Sequence, residues 1–267
     1  MILQSTLPYT PWSDPRMTRL PGIQPLDLAD WLVADEVFAG QMAERDRLLR
    51  DETDQVYAID AGAEDAARDL LDLMLELLSA RDDYVVESTR VRRPDGVWVD
   101  LDRDRALMTA GRLVQEDITI LERPEGAEEH ILTGGVVCFP ASWTLAEKYM
   151  RPLIRIHRPV VPYDDGVASR VQRLFDGLKA GRALWRANAH YYDEPTLFRP
   201  FPEAAPRAKT PGPAPYIRSE RQVLTRLPRT GAMVFTVHTY MIAREDLSPQ
   251  QKQDLIDHPI TFQEVER

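Results

Sequence analysis

The chain has one cysteine and no long apolar run, and both features exclude several classes of protein. One cysteine, Cys138, stands among 267 residues. It has no partner for an intramolecular disulfide, and one thiolate falls short of the four that an iron–sulfur cluster normally needs. No stretch reaches 18 consecutive apolar residues, and residues 1–14 lack the basic and apolar regions of a secretory signal. We therefore expect a cytoplasmic protein that has no contact with a membrane.

Positive charge is also scarce, with 33 basic against 43 acidic residues and a formal net charge of −10. Such a chain repels a phosphate backbone, so we expect no nucleic-acid partner. Hydrophobic residues make up 43% and charged residues 28% of the chain, which is typical of a folded globular protein. At this length one large domain is the favoured organisation.

Several catalytic motifs are missing. The sequence contains no Gly-x-Gly-x-x-Gly after a strand, no phosphate-binding loop and no Gly-x-Ser-x-Gly elbow, so neither a bound dinucleotide nor a serine hydrolase is indicated. Cys138 lies in an apolar segment, where a buried structural thiol is more common than a nucleophile. If the protein is a redox enzyme, its electrons come from elsewhere.

Hydrophobic periodicity predicts helices first and antiparallel hairpins later. The first predicted helical stretch begins at Asp27, as one helix or as two helices with a kink. Further helices are predicted at 64–80, 104–116, 142–149 with Ser142 as N-cap, and 167–178. The predicted strands cover 118–121 paired with 131–139, and 223–227 paired with 232–242. This order indicates an α+β fold with an antiparallel sheet.

Proline marks the domain limits. Residues 1–25 carry five prolines and are predicted to form an extended arm. Residues 26–247 form the predicted single domain, which includes a helical N-terminal part and a proline-rich loop at 200–215, where six of sixteen residues are proline. Residues 248–267 form the predicted C-terminal helix and tail.

None of the five histidines forms a His-x-His or His-x-x-x-His pair, so a sequence-local zinc or non-haem iron site is not indicated. A haem needs one imidazole and an apolar slot. His157 lies in the segment IRIHRPVVPY, where two prolines stiffen the chain, although a lone histidine is more often a packing residue. His238 is predicted to face solvent from a strand, and His130 and His258 are predicted to be exposed.

Five segments favour a ligand role for His157 over a packing role, because they occur together and in order. They are QED at 115–117, CFPASW at 138–143, EK at 147–148, IHRPVVPY at 156–163 and RSERQVLTRLP at 218–228. In this set, from about residue 25 to 240, the chain resembles the haem-dependent oxidative N-demethylase family, which includes the haem subunit of dimethylamine monooxygenase.

The resemblance implies a Per-ARNT-Sim (PAS) type fold, in which an antiparallel sheet and flanking helices enclose haem b. It implies a monooxygenase that uses haem iron and dioxygen to oxidise a small amine, with the methyl group leaving as formaldehyde. It also implies a separate reductase with flavin and an iron–sulfur centre that passes electrons from NADPH. The alternative is a haem-binding gas or redox sensor, because related folds serve mainly as sensory modules.

Carried onto this chain, the resemblance implies His157 as the axial iron ligand, with His190 as the alternative. Arg221, Glu220 and Tyr163 are the implied catalytic residues, which would stabilise negative charge on dioxygen, hold an ammonium group or donate a hydrogen bond. The residues implied to bind the haem, chiefly through its propionates, are Arg182, Arg186 and Asn188.

Strand alternation limits this assignment. Glu220 and Gln222 share one face of a strand while Ser219 and Arg221 share the other, so one of the two charged residues is expected to lie outside the pocket. Cross-strand ion pairing is the usual role of such residues. The family pattern Arg-x-Asn-Trp also departs here to Arg186-Ala187-Asn188-Ala189, which predicts a wider pocket and a different substrate.

Overall fold

The computed structural model describes residues 1–18, 22–157, 165–206 and 213–260, with the side chains of 165–169 excepted. Eight α-helices occur in these ranges: α1 Phe38–Asp51, α2 Thr53–Val56, α3 Glu64–Ser79, α4 Ala106–Gly111, α5 Leu145–Lys148, α6 Leu153–His157, α7 Asp165–Gly177 and α8 Pro249–Asp257. Short 3-10 turns precede α1 and α3. Within the same ranges, no helix combines the length and the apolar character that crossing a bilayer requires.

Ten strands accompany the helices in the described ranges: β1 Gln24–Leu26, β2 Tyr57–Ile59, β3 Val85–Val86, β4 Arg90–Arg92, β5 Trp98–Asp100, β6 Asp117–Glu122, β7 Ile131–Val136, β8 Ala183–Tyr192, β9 Tyr216–Arg226 and β10 Met233–Ala243. Seven of them form one sheet in the order β1-β8-β9-β10-β6-β7-β2. Each neighbouring pair is antiparallel. The predicted α+β class with an antiparallel sheet and flanking helices is confirmed.

The two faces of this sheet are covered by different parts of the chain. Cross-strand partners lie on the same face, so Glu220, its partner Asn188 and the neighbouring Arg186 share one face, which we call the Glu220 face. Helices α6 and α7 pack on it through an apolar cluster. The opposite face carries Arg221 and is called the Arg221 face; the segment before α1 packs there, with Trp31 fully buried.

Several predicted elements are confirmed. Helix α3 matches the prediction for 64–80, and it buries Leu70, Leu71, Met74 and Leu78 on one side as its periodicity requires. Both predicted hairpins form, β6 with β7 and β9 with β10. The predicted N-cap Asp27 accepts a hydrogen bond from the amide of Ala29 at 3.0 Å, although it opens only a 3-10 turn.

Other predicted boundaries are wrong for identifiable reasons. The helix predicted for 104–116 ends at Gly111, where a Cβ would lie only 2.6 Å from Cγ1 of Val136, so only glycine permits this approach to β7. Ser142 is not an N-cap, since its φ is +66°. Thr144 caps α5 instead and accepts from the amide of Glu147.

Strand β8 is absent from the sequence-based prediction, although it spans ten residues near the centre of the sheet. The small sheet of β3, β4 and β5 was also not predicted. In β8 the polar residues Arg186, Asn188 and His190 alternate with Trp185, Ala187 and Ala189, which is the period of a strand. That alternation was the available signal for a strand at this place.

Candidate functional site

Strand β8 supplies three polar side chains to the Glu220 face. Its register with β9 pairs Arg186 with Gln222, Asn188 with Glu220 and His190 with Arg218. Partners in antiparallel strands point to the same side, so all of these side chains lie on the face that α6 and α7 cover. The structure therefore brings together the predicted residues Glu220, Arg186, Asn188 and His190.

Glu220 is a buried carboxylate with three hydrogen-bond donors around it. Its Oε1 accepts from Nε of Arg218 at 3.2 Å, and its Oε2 accepts from Nδ2 of Asn188 at 3.3 Å and from Nε2 of Gln222 at 3.2 Å. Burial alone would raise the pKa of Glu220, but the charge of Arg218, that of His190 and the hydrogen bonds outweigh it and lower the pKa. Glu220 is thus ionised at neutral pH.

Arg218 fixes this carboxylate. Its buried guanidinium also donates to the carbonyl of Phe139, to that of Leu197 at 3.2 Å and to Oγ1 of Thr239 at 3.2 Å. A planar guanidinium held at four acceptors has one orientation. Arg218 therefore positions Glu220 and ties it to the CFPASW segment.

His157 is the last residue of α6, and its imidazole is oriented by its own helix. Nδ1 lies 2.9 Å from the carbonyl oxygen of Leu153. Because a carbonyl only accepts, Nδ1 carries the proton and Nε2 carries the lone pair. A carbonyl that fixes the tautomer through the other ring nitrogen in this way is typical of metal-binding histidines.

His157 is also neutral. Burial, against the effect of the Leu153 carbonyl and together with the nearby charges of Lys148 and Arg186, lowers its pKa to about 4. A neutral imidazole is the form that binds iron. These interactions also place His157 within electrostatic reach of Arg186 on β8.

Lys148 ends helix α5 beside this group. Its ammonium lies over the indole ring of Trp143, 4.2 Å from the ring centre. Burial lowers the pKa of Lys148 to about 8, although the charges of Glu220, Glu203 and Glu147 oppose the shift. Lys148 lies in a recognised motif, but sequence reasoning gave it no role.

Two buried polar atoms on the Glu220 face lack partners among the described residues. They are Nε of Arg186 and Oδ1 of Asn188. A buried donor or acceptor without a hydrogen bond is costly, and in native proteins such atoms commonly mark a place where something else binds. One donor and one acceptor thus point to a ligand with polar groups of both kinds.

An apolar cleft adjoins these residues. It has a volume of about 500 Å³ and is bounded by α7, β1 and the start of β8, with Leu26, Leu174, Leu178 and Leu184 among its walls. Leu184 and Arg186 point to the same side of β8. Leu184, which lines the cleft, therefore lies two residues from Arg186 on the same face of the sheet.

Arg182 lines this cleft at its exposed rim. Its backbone carbonyl accepts from Oγ1 of Thr225 at 3.0 Å. Tyr163 lies outside the described residues. Among the predicted site residues, Arg182 is thus near the apolar end and Arg186 near the polar end.

Arg221 lies on the opposite face from Glu220, as strand alternation predicted. Its guanidinium donates to the carbonyl of Trp31 at 2.7 Å and to that of Asp30 at 2.6 Å, and it lies over the ring of Trp185. The structure therefore does not bring Arg221 together with Glu220 or His157. Its observed contacts join the sheet to the segment before α1.

His238 is wrongly predicted to face solvent. It is fully buried on the Arg221 face, with Nε2 at 3.2 Å from Oδ2 of Asp35 and Nδ1 at 3.3 Å from Oε1 of Glu116. Burial alone would lower the pKa of His238, but hydrogen bonds to the two carboxylates and their charges raise it. His238 is therefore part of an internal ion-pair cluster.

Two further histidine predictions differ in outcome. His130 is wrongly predicted to be exposed, since only 4% of it is accessible. Its ring contacts the edge of Phe175 and its Nδ1 meets the side chain of Gln172. His258 is exposed as predicted.

The lone cysteine is buried as predicted, and burial raises the pKa of the Cys138 thiol to about 12. Asp117 of the QED segment accepts from the amides of Cys138 and Phe139 at 2.8 and 2.9 Å and pairs with Arg45 at 2.6 Å. These residues hold the end of β7 in place.

The predicted widening of the pocket at Ala189 is wrong. Ala189 pairs with Ser219 on the Arg221 face and packs against the cluster of Leu7 and Trp12. A larger side chain at this position would meet the N-terminal segment. The missing ring therefore does not enlarge the space beside Arg186 and Asn188.

Comparison with known families gives one match of broad extent. The model of a family described as "haem-dependent oxidative N-demethylase, alpha subunit-like" matches residues 22–258. The match includes both faces of the large sheet and every described residue named above on the Glu220 face.

Proposed function

Because the chain belongs to the haem-dependent oxidative N-demethylase, alpha subunit-like family, we propose that it binds haem b on the Glu220 face and oxidises a small amine with dioxygen. Electrons reach the haem from a separate reductase that uses NADPH, flavin and an iron–sulfur centre. The family description names an alpha subunit, which is in keeping with a partner protein. A cytoplasmic location belongs to the same proposal.

The residues present fit a haem. His157 offers a neutral imidazole whose Nε2 lone pair is set by the Leu153 carbonyl. The cleft of about 500 Å³ offers apolar walls for a macrocycle. Arg186 and Arg182 offer guanidinium groups for propionates, and Nε of Arg186 has no partner among the described residues.

The strand arrangement supports a PAS-like fold. The consecutive strands β6 to β10 stand in the order β7-β6-β10-β9-β8, and α5, α6 and α7 all lie in the connection between β7 and β8. One connection thus supplies the helices on the Glu220 face. This agrees with a sheet whose flanking helices enclose a ligand.

When bound, the haem supplies the binding and reduction of dioxygen. The chain itself supplies orientation and charge. His157 would hold the iron through Nε2, and Glu220, an ionised carboxylate, would hold the ammonium of the substrate or take its proton. Oδ1 of Asn188 would accept a hydrogen bond from an amine N–H, which would give this buried oxygen the partner that it lacks among the described residues.

A single observation carries the ligand assignment, namely the contact of 2.9 Å between Nδ1 of His157 and the Leu153 carbonyl. We expect the purified protein, supplied with haem, to show a Soret band that His157→Ala abolishes and His190→Ala retains. Circular dichroism of both variants controls for folding. The opposite pattern would make His190 the ligand, and no Soret band in the parent protein would refute the haem proposal.

Catalysis is tested separately. Haem-loaded protein is given a chemical or enzymatic reductant, oxygen and a panel of secondary amines, and formaldehyde is assayed. We expect formaldehyde with at least one N-methyl amine. Reversible oxygen binding without turnover across the panel would instead favour a sensor.

A further inference from the structure

Two cations border the Glu220 face without a carboxylate of their own. Among the residues whose side chains are described, neither Lys148 nor Arg186 forms a salt bridge, whereas Arg155 and Arg218 nearby each do. Burial lowers the pKa of both groups. Charged side chains removed from water in this way are normally paired.

The acidic residues near Lys148 are already held by other groups. Glu147 accepts from the amide of Glu203 at 2.9 Å and from Oγ1 of Thr144 at 2.7 Å. Glu203 receives two hydrogen bonds from Arg155, at 2.9 and 3.0 Å. Glu220 is held by Arg218, Asn188 and Gln222. These carboxylates stabilise the charge of Lys148 at a distance.

Arg186, like Lys148, lacks a carboxylate partner among the described side chains. Its guanidinium is on the covered face of β8 and its Nε is buried without a partner among the described residues. A guanidinium edge that includes Nε binds a carboxylate with two parallel hydrogen bonds. The Nε of Arg186 therefore lacks an acceptor, and a carboxylate would supply one together with a second oxygen for the same guanidinium.

Lys148 is held at its place. The indole ring of Trp143 lies under the ammonium at 4.2 Å, and a ring face attracts the cation without using its N–H donors. His157 is neutral and does not compete for an anion. The three donors of Lys148 thus remain suited to a charged acceptor.

We propose that Lys148 and Arg186 form a subsite for a carboxylate of the bound ligand, supplied by a haem propionate or by the carboxylate of an amino-acid-type amine. This inference rests on the proposed function for the identity of the ligand. It adds Lys148 to the site and predicts that ligands without a carboxylate bind less tightly.

The test compares zinc protoporphyrin IX, which has two propionates, with its dimethyl ester, which has none. Affinities are measured by fluorescence titration for the parent chain, Lys148→Gln, Arg186→Gln, Lys148→Arg and the control Lys252→Gln, whose exposed ammonium donates to the Glu245 carbonyl. We expect the parent to prefer the free acid about tenfold or more. Lys148→Gln and Arg186→Gln lose this preference, whereas Lys148→Arg and the control keep it.

A second arm identifies the other source of the carboxylate. Dimethylamine and N-methylglycine are titrated into protein loaded with the haem dimethyl ester, and the visible spectrum is followed. Tighter binding of N-methylglycine that Lys148→Gln removes would place the substrate carboxylate in the subsite. Equal affinities for acid and ester, together with equal affinities for the two amines, would overturn the proposal.

Failure of the proposed function can be distinguished from failure of the carboxylate subsite. If neither porphyrin binds, the haem proposal fails, and the subsite is tested on porphyrin-free protein by NMR of its four lysines after ¹³C-dimethylation. The Lys148 signal is identified by its loss in Lys148→Gln. A shift with N-methylglycine but not with dimethylamine would support the subsite, and no shift with either would overturn it.

Discussion

The two faces of the large sheet carry similar polar residues, but these residues differ in the partners that they contact. On the Arg221 face, Arg221 donates to two backbone carbonyls and His238 lies between Asp35 and Glu116. On the Glu220 face, Arg186 and Asn188 each retain a buried atom without a partner among the described residues. Nδ1 of His238 and Oε2 of Glu116 also lack a hydrogen-bond partner among the described residues, but His238 lies between two carboxylates, whereas Arg186 forms no salt bridge among the described side chains. A buried cation without a carboxylate is suited to an anionic ligand.

The same contrast appears in the two buried histidines. The pKa of His157 is lowered by burial and by nearby cations, so the ring is neutral. The pKa of His238 is raised by two carboxylates despite its burial. The neutral ring of His157 is a potential ligand, whereas the ring of His238, with its raised pKa, lies between two carboxylates. Neighbouring elements, and not the residue type, decide between the two roles.

The largest effect on activity is expected at Glu220. Glu220→Gln keeps the shape of the side chain and removes its charge, so we expect the rate of amine oxidation to fall about hundredfold or more. The Soret band should persist, because His157 is intact. Formaldehyde production by the haem-loaded variant measures this, with the exposed Glu87→Gln as control. An unchanged rate would remove Glu220 from the site.

The largest effect on stability is expected one residue later. Arg221→Met preserves the apolar stem but leaves the Asp30 and Trp31 carbonyls without their donor, which should lower the free energy of unfolding by about 2–4 kcal/mol. Urea denaturation measures the change. Turnover per folded molecule should stay the same; its loss in a stable variant would show that Arg221 acts in catalysis and would break the comparison between the faces.

A smaller effect depends on pH and distinguishes the histidines. With a folded pKa of about 4 and an ordinary value of 6.5, neutral His157 contributes stability that is full above about pH 6.5 and is lost as the pH falls towards 4. The loss is at most about 3 kcal/mol. His157→Asn should remove this part of the dependence in urea titrations of haem-free protein.

The same experiment on His238 should give the opposite trend. Its pKa is raised, so its contribution is full below the ordinary value and is lost as the pH rises through the folded pKa. His238→Asn should therefore destabilise the protein most at acidic pH and least at alkaline pH. Parallel curves for the parent and this variant would contradict an ion-pair role.

The sequence predicted much of the sheet and part of the site. Strong alternation in β9 and β10 revealed the hairpin and placed Glu220 and Arg221 on opposite sides. Strand β8 was missed because its apolar positions include Ala187 and Ala189, which have weak strand preference. Once β8 is absent from a prediction, residue patterns do not place Arg186 and Asn188 beside Glu220, and only the family resemblance assigned the three residues to one site.

Burial of polar residues was harder to predict. His130 and His238 were placed at the surface because their neighbours in sequence are polar or alternate, yet both are buried by segments remote in the chain. The carboxylates around His238 come from residues 35 and 116. Long-range pairing of this kind leaves no periodic pattern, so it becomes visible only in three dimensions.

The hydrogen bond from His157 to Leu153 has a further consequence for the thermodynamics of assembly. It satisfies the carbonyl of Leu153, the first residue of α6, from the last residue of the same helix, so the ring is immobilised when the helix forms. Ordering a free side chain on binding costs about 0.5–1.5 kcal/mol. For His157, the proposed ligand, that entropy is lost during folding, so the proposed capture of haem would not include this cost.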